Sequence, residues 1–354
     1  MTTEGDEAIL MTPSNAPHLP SWCIRTDGSG PWQVESSVAP QPGPGEVLVE
    51  VHAFALSESD WTERDTGMPA VGRPLVREWD WAGRVVSTGP GVSPELVGQN
   101  TVAREALEDR TISSARPAKA GTATDVETRS RQVVPGLLTG HLAVSRSALQ
   151  LLPDGTDLAA AALLGRASVA AEVLESAEPK AGERVAIFGA GAVGLLLVQL
   201  LSLARPCEVV VIDPSPERGA LALAAGATRH CRTLDAARVA NVFDVVVDTT
   251  GTAAAPGSAC LLAARSARVV FTRTFPEGTP LLDRTMLALR ELSLLTATVA
   301  TSRAWYTAVR AFDEGLIDSR PLIAREIPVA SLADGAACAG DGSTEALVTV
   351  LLST

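Results

Sequence analysis

Short runs of alternating hydrophobic and polar residues mark the first third of the chain. Residues 46–51 (EVLVEV) follow a proline- and glycine-rich turn cluster at 41–45, and their β-branched alternation predicts a strand with one buried face. Later short strands separated by glycine turns are typical of a barrel-like β unit. The predicted strands are 74–76, 81–86 and 101–103, with a candidate first strand at 8–11. The polar residues 104–132 predict a long excursion from this unit.

The pattern changes to helical periodicity at Asp157. Alanine-rich faces over 158–164 and 168–174 predict helices that lead into a buried strand. From there helices and strands alternate, which predicts a parallel α/β sheet. The predicted helices are 218–225 and 304–315, and the predicted strands are 242–248, 267–271, 292–299, 326–329 and 346–351.

A glycine-spaced turn joins the buried strand to an apolar helix in residues 184–194 (RVAIFGAGAVG). Gly189 permits a sharp turn, Gly191 lets backbone N–H groups approach a pyrophosphate, and Gly194 lets the helix pack closely. Asp213 ends the next strand roughly 20 residues further on, where a carboxylate accepts hydrogen bonds from ribose hydroxyls and repels a 2′-phosphate. The pattern predicts a site for NAD rather than NADP. The alternative is a glycine turn used only for packing.

Length, charge and cysteine content exclude several classes of protein. A length of 354 residues indicates two domains, and a hydrophobic content of 46% is enough to bury a core in each. A net charge of −12 disfavours binding to nucleic acid or to anionic membranes. No long apolar stretch or basic leader is present, so we expect a soluble, cytoplasmic protein. The five cysteines are scattered and indicate neither a disulfide framework nor a zinc knuckle.

A series of short motifs resembles the medium-chain dehydrogenase/reductase family, which includes zinc alcohol dehydrogenases and zinc-free quinone oxidoreductases. The motifs are 42–50 (PGPGEVLVE), 56–60 (LSESD), 81–86 (WAGRVV), 152–155 (LPDG), 188–194 (FGAGAVG), 225–227 (AGA) and 248–251 (DTTG). The resemblance implies an α/β protein in which a GroES-like β-rich catalytic domain carries a Rossmann domain with a doubly wound parallel sheet. We expect the catalytic domain at 1–166 and 299–354 and the Rossmann domain at 167–298. The substrate would lie in the cleft between them.

The resemblance also extends the set of cofactor residues. Arg218 matches the family's basic position that contacts the adenosine ribose. The predicted cofactor-binding residues are Gly189, Gly191, Ala192, Val193, Gly194, Asp213, Arg218 and Thr249.

The family's zinc ligands are replaced in this sequence. Ser57 stands at the first cysteine position, Trp79 at the histidine position and Arg166 at the later cysteine position. A catalytic zinc needs three ligands that converge, and serine, tryptophan and arginine do not supply them. The four-cysteine lobe for structural zinc would lie at about 95–125, where the sequence has no cysteine. We therefore predict no metal at either position.

Other residues of that pocket are retained. Asp60 and Asp80 match acids near the family's metal, and Ser59 matches a hydroxyl that passes protons. Arg166 would either place a fixed cation where relatives hold zinc or form a buried ion pair with Asp60 or Asp80. Ser57 and Ser59 are candidate substrate hydrogen-bonders, and Trp79 is expected to face the pocket. His18, His52, His141 and His230 are isolated and are not expected to be catalysts.

The leading hypothesis is a zinc-independent, NAD(H)-dependent oxidoreductase acting on a small polar or cyclic alcohol or ketone. One alternative is NAD(P)H-dependent reduction of an activated C=C bond, as in quinone reductases. An alternative of another class is a redox-silent nucleotide-binding or scaffold protein. The resemblance implies a homodimer or homotetramer formed through the strand at 292–299.

Overall fold

The computed structural model describes residues 19–25, 33–57, 80–104, 138–234, 242–276, 278–280, 282–334 and 348–353. The strands are β1 Pro20–Arg25, β2 Gln33–Val38, β3 Glu46–Ser57, β4 Trp81–Thr88, β5 Asn100–Ala103, β6 Leu138–Thr139, β7 His141–Ser145, β8 Leu149–Leu152, β9 Arg184–Phe188, β10 Glu208–Ile212, β11 Arg229–Cys231, β12 Phe243–Asp248, β13 Ala263–Phe271, β14 Ser293–Thr296, β15 Ile323–Pro328 and β16 Val348–Leu352. The α-helices are α1 Leu158–Ala161, α2 Leu164–Ala177, α3 Ala192–Leu200, α4 Pro216–Ala224, α5 Ala255–Leu262, α6 Arg284–Arg290 and α7 Ser302–Asp313.

A largely antiparallel seven-stranded sheet forms the β-rich domain. Its order is β15-β16-β3-β4-β5-β8, and β7 also pairs with β3. A separate three-stranded sheet has the order β2-β1-β6. Strands from both the beginning and the end of the chain therefore build this domain.

The central strand β3 changes the face that it buries partway along its length. Val47 and Val51 pack into a core formed within the β-rich domain, and beyond them Phe54 and Leu56 pack into the same core. The register against β4 shifts between Val51 and Ala53. A bulge of this kind adds one residue to a strand and reverses the alternation. Ala53 therefore packs into the larger core that contains the helices.

Six parallel strands form the second sheet, in the order β11-β10-β9-β12-β13-β14. This order places a topological switch point between β9 and β12, where ligands bind beyond the carboxyl ends of the strands. Alternate side chains of β9 enter different cores, with Val185 and Ile187 on one face and Ala186 and Phe188 on the other. Burial on both faces explains the uninterrupted apolar run of this strand.

Helix α2 joins the two halves. Its side chains pack with α3 and α7 in a core that also includes Ala53 and Val350 from the β-rich domain. At its far end, the carbonyl of Ala177 accepts a hydrogen bond from Arg268 of β13 at 2.6 Å. The proposed boundary at residue 166 falls within this helix, so one rigid element belongs to both domains.

Most predicted elements are confirmed, with changed ends. The strand predicted at 46–51 continues to Ser57, and the helix predicted at 218–225 begins at Pro216 because Ser215 caps it. The start predicted at 267 for β13 was wrong, since the strand begins at Ala263 and passes through Ser266 with a φ of 60°. The strand predicted at 292–299 is the shorter Ser293–Thr296. The predicted strands 8–11 and 74–76 lie outside the described residues.

Within the described part of the chain, no helix is both long and apolar enough to cross a membrane.

Candidate cofactor and substrate site

Two glycines of the turn after β9 are required by packing inside the protein. Gly189 has a φ of 94°, and a Cβ there would lie 2.6 Å from the Thr249 hydroxyl oxygen. A Cβ at Gly194 would lie 2.1 Å from the carbonyl oxygen of Gly189. Both positions therefore exclude any side chain, and they hold the turn tightly between β9, α3 and the end of β12.

Gly191 has a different environment. It has a φ of −75°, and, apart from its chain neighbours, a Cβ at this position would meet no atom of the described residues within 4 Å. It is the N-cap of α3, and no side chain caps the helix there. The helix N-terminus therefore presents backbone N–H groups beside open space, which is the arrangement that binds phosphate. The residues of the turn fit the pyrophosphate of a dinucleotide.

Ala192 and Val193 form the first turn of α3, directly after this N-cap. The side chain of Ala192 is buried, and Val193 is partly buried against the same core. Their contribution to a bound cofactor would come from backbone N–H groups at the helix N-terminus.

Asp213 lies at the end of β10 and is 5% exposed. Its carboxylate accepts hydrogen bonds from the N–H groups of Ala190 at 2.8 Å and Ser215 at 2.9 Å. The carboxylate is thus tied to the glycine turn and to the start of α4 together. Arg218 lies in the first turn of α4, where its backbone N–H donates to the Ser215 hydroxyl at 3.2 Å.

Thr249 and Asp248 support the turn from the neighbouring strand. The Thr249 hydroxyl donates to the carbonyl of Phe188 at 2.8 Å, which links the ends of β9 and β12. Asp248 is fully buried, and its Oδ1 accepts from the N–H and the hydroxyl of Thr250 at 2.9 and 2.7 Å. Burial raises the pKa of the Asp248 carboxyl, and the hydrogen bonds from Thr250 oppose that shift. Thr249 is therefore a support of the glycine turn in the protein itself.

Arg166 of α2 and Asp80, which precedes β4, form a buried ion pair. Nη2 of Arg166 lies 3.0 Å from Oδ2 of Asp80, and the side chains are 12% and 2% exposed. Nη2 also donates to the carbonyl of Ala55 in β3 at 3.1 Å. The ion pair was one of two roles expected for Arg166, with Asp60 or Asp80 as its partner, and among the described residues it forms with Asp80. A catalytic role for Arg166 stays a prediction.

The other predicted pocket residues are less completely described. Ser57 is the last residue of β3, opposite Val348 of β16, and its side chain lies outside the description. Ser59, Asp60 and Trp79 also lie outside the described residues. Their roles stay predictions.

Arg166, which the resemblance matches to a zinc-ligand position, does not fit a zinc ion. Arg166 carries a positive charge and has no acceptor atom, so it repels a cation rather than binding it. Among the described residues, no three histidine, cysteine or acidic side chains are grouped so that they could hold a metal.

Sequence reasoning missed three residues that shape the cofactor site. Asp248 and Thr250 belong to the DTTG motif, in which only Thr249 was singled out. The sequence alone gives His230 no partner, but its Nε2 lies 2.8 Å from the carbonyl oxygen of Asp213. No sequence pattern links His230 to Asp213, because strand pairing alone brings them together.

A parallel six-stranded sheet with a glycine turn at its switch point, joined to a β-rich domain, defines a two-domain dinucleotide-binding fold. Comparison with known families agrees with this class. Residues 43–154 match the alcohol dehydrogenase GroES-like domain, and residues 192–314 match the zinc-binding dehydrogenase domain. The two matches together cover more than half of the chain, and the chain belongs to the medium-chain dehydrogenase/reductase family.

Curated relatives are distant. D-xylulose reductase of Scheffersomyces stipitis is 27% identical over 304 residues, which are 78% of this chain and 81% of that protein. A probable D-xylulose reductase A of Arthroderma otae is 27% identical, and sorbitol dehydrogenase of Gallus gallus is 26% identical. The matched region spans about half the length of these last two proteins, 49% and 54%.

Solved structures share the fold. An alcohol dehydrogenase from Escherichia coli in complex with NADH has a TM-score of 0.76 at 20% identity, covering 95% of this chain and 99% of that one. A dehydrogenase from Sinorhizobium meliloti bound to NADP has a TM-score of 0.78 at 20% identity, covering 94% and 99%. Because identity is so low, these similarities establish the fold alone.

Proposed function

We propose that this protein is an NAD(H)-dependent oxidoreductase that interconverts a small polar or cyclic alcohol and its ketone without zinc. The observation that carries the proposal is the environment of Gly191. This residue is the N-cap of α3, no side chain caps the helix there, and the position lies beside open space. Packing explains Gly189 and Gly194, but no contact among the described residues explains the absence of a side chain at Gly191. A ligand that approaches the backbone there supplies the reason.

The proposed cofactor residues divide by the part of the dinucleotide that they serve. Gly189, Gly191 and Gly194, with the backbone of Ala192 and Val193, hold the pyrophosphate. Asp213 accepts hydrogen bonds from the adenosine ribose, with Arg218 beside it, and Thr249 supports the turn. When bound, the nicotinamide accepts or supplies the hydride at its C4 atom.

In the absence of zinc, hydrogen-bond donors must stabilise the negative charge that develops on the substrate oxygen. Ser57, Ser59 and Arg166 are the proposed donors, and each preorganised donor is worth about 3 to 4 kcal/mol. Asp80 balances the charge of Arg166 at 3.0 Å, so the buried pair is close to neutral. This balance favours an uncharged alcohol or ketone over an anionic substrate. Asp60 and Trp79 are proposed to complete the pocket.

The proposed arrangement keeps the catalytic domain at 1–166 and 299–354 and the Rossmann domain at 167–298. Partners are a small-molecule substrate and further copies of the same chain. The strongly acidic composition supports the view that nucleic acid and membranes are not partners.

The test measures cofactor affinity, metal content and turnover on one preparation. We expect a lower Kd for NADH than for NADPH by fluorescence titration, because Asp213 meets a 2′-phosphate with like charge. Elemental analysis after dialysis should find far less than one zinc per chain. A panel of polyols, cyclic alcohols, ketones and quinones then identifies the substrate. Equal affinities would contradict the NAD assignment, stoichiometric zinc would contradict zinc independence, and turnover of quinones alone would favour C=C reduction.

A further inference from the structure

The backbone of Asp213 is held by two consecutive residues of the neighbouring strand β11. Its N–H donates to the carbonyl of Cys231 at 3.0 Å. Its carbonyl lies 2.8 Å from Nε2 of His230, and because a carbonyl only accepts, Nε2 carries the proton and donates. Both backbone polar groups of Asp213, one in each of its two flanking peptide units, are therefore held from β11. The next carbonyl, that of Pro214, accepts from Nε of Arg232 at 3.2 Å.

Helix α4 is shaped to receive the His230 ring. Gly219 is buried in the interior of this helix, where glycine costs about 1 kcal/mol relative to alanine. A Cβ at Gly219 would lie 2.1 Å from Nδ1 and 2.2 Å from Cε1 of His230. The imidazole therefore occupies the space that any other residue would fill. The unfavourable glycine is explained by the ring that packs on it.

We propose that His230, seated against Gly219, is a positioning residue that aims the Asp213 carboxylate at the adenosine ribose and thereby sets the preference for NADH over NADPH. The inference rests on the proposed function, since it concerns the same cofactor site. The carboxylate is already held by the N–H groups of Ala190 and Ser215. Those contacts hold its orientation only while the peptide between Asp213 and Pro214 keeps its own, and the His230 hydrogen bond fixes that peptide.

If the Asp213 carboxylate loses this orientation, the affinities for the two cofactors change in opposite directions. NADH loses hydrogen bonds from its ribose hydroxyls to Asp213. The 2′-phosphate of NADPH is no longer repelled by a fixed carboxylate of like charge. If His230 had only a structural role, its substitution would weaken the binding of both cofactors together. The ratio of the two affinities therefore separates the alternatives.

The experiment titrates NADH and NADPH into the full-length parent and into His230→Ala, His230→Gln and Gly219→Ala. We expect His230→Ala to raise the Kd for NADH about tenfold, the value of one hydrogen bond, while the Kd for NADPH stays level or falls. His230→Gln should restore most of the preference, because its amide nitrogen can donate from the place of Nε2. A partly unfolded sample lowers both apparent affinities alike, so the ratio is still interpretable.

A double-mutant cycle tests the pairing with Gly219. Gly219→Ala alone should displace the imidazole and reduce the preference as His230→Ala does. In the His230→Ala background it should have no further effect, because the clash has been removed. An unchanged NADH/NADPH ratio in His230→Ala, or additive effects in the double variant, would overturn the inference while leaving the proposed function intact. A parent that binds neither cofactor would overturn both.

Discussion

Arg166 and Asp80 bring opposite charges together where the side chains are only 12% and 2% exposed. Such a pair adds little stability compared with apolar side chains of similar volume at the same positions. Removing one member is costly, however, because the charge of the other then stays buried. The pair also holds β3, through the Ala55 carbonyl, against the start of α2. Its structural role is thus clear from its contacts, and a catalytic role needs a separate measurement.

Arg166→Leu should lower the free energy of unfolding by about 3 to 5 kcal/mol, because the buried Asp80 loses its cation. Arg166→Lys keeps the charge but loses the planar fork, so it should retain much of the stability while losing most of the turnover. Denaturant unfolding and steady-state rates test both. Arg310→Leu is the control, since its ion pair with Glu314 is exposed and should matter little. Parent-like turnover in Arg166→Leu would show that the pair is structural only.

Asp248 should make stability depend on pH. Burial raises the pKa of its carboxyl, so the folded state holds this proton at pH values where the unfolded chain has released it. The free energy of unfolding therefore falls as pH rises from the usual aspartate range to the raised pKa, and levels off above it. Asp248→Asn should lack this decline when unfolding is measured across that interval.

A companion variant gives the direction independently. Thr250→Val removes the hydroxyl that donates to Oδ1 of Asp248 at 2.7 Å, and this donation opposes the upward shift of the Asp248 pKa. The decline in stability should then extend to higher pH than in the parent protein. A decline of the same size in Asp248→Asn would mean that other groups cause it.

The turn between β9 and α3 combines two kinds of glycine. Gly189 and Gly194 are required by contacts within the protein, and Gly191 is not. Alanine substitutions at Gly191 and Gly194 therefore separate packing from binding within one element.

Gly194→Ala should cost about 1 to 3 kcal/mol of stability and abolish cofactor binding, because its Cβ meets the Gly189 carbonyl at 2.1 Å. Gly191→Ala should leave stability within about 0.5 kcal/mol, since no described residue beyond its chain neighbours is near and the φ is ordinary. Its Kd for NADH should nevertheless rise at least tenfold if the backbone approaches the pyrophosphate. Calorimetry and cofactor titration test the pair. Unchanged affinity in Gly191→Ala would remove the main support for the cofactor site.

Elements with a strong local signal were predictable from the sequence. The glycine turn and Asp213 follow from strand, turn and spacing in one continuous segment. The bulge in β3 was not predictable from the sequence. Phe54 and Leu56 occupy alternate positions just as the apolar residues before the bulge do, so the pattern gives no sign that the buried face changes. The contact of His230 with Gly219 was also not predictable from the sequence, because the two residues lie on different elements, a strand and a helix, that meet only in the folded protein.

At the scale of the molecule, the two domains share one core and several polar contacts. Gln199 of α3 pairs through its side-chain amide with both backbone groups of Asp318, at 3.0 and 2.7 Å. Glu172 of α2 accepts from the N–H and the hydroxyl of Thr301 at the start of α7, both at 2.8 Å. The helix that presents its N-terminus to the cofactor is therefore fixed to the segment that returns to the β-rich domain.

Strand β14 is the last strand of the parallel sheet in the described structure. Its Leu294 is 41% exposed, and Leu289 and Leu261 nearby are 73% and 52% exposed. Arg290, next to Leu289, donates to the carbonyls of Cys260 and Leu261, which places the ends of α5 and α6 side by side. An apolar edge of this kind favours association with another chain.

We expect the protein to form a homodimer, or a tetramer built from such dimers, through this edge. Leu294→Lys should weaken the dimer by at least tenfold, because the new charge would be buried when two edges meet. Leu223→Lys is the matched control, since Leu223 is 49% exposed but lies on α4, beside β10 and β11 at the opposite side of the sheet. Sedimentation velocity over a range of protein concentrations gives the masses. A monomeric parent would contradict the prediction, and a Leu294→Lys variant that stays dimeric while Leu223→Lys dissociates would place the interface on the other side.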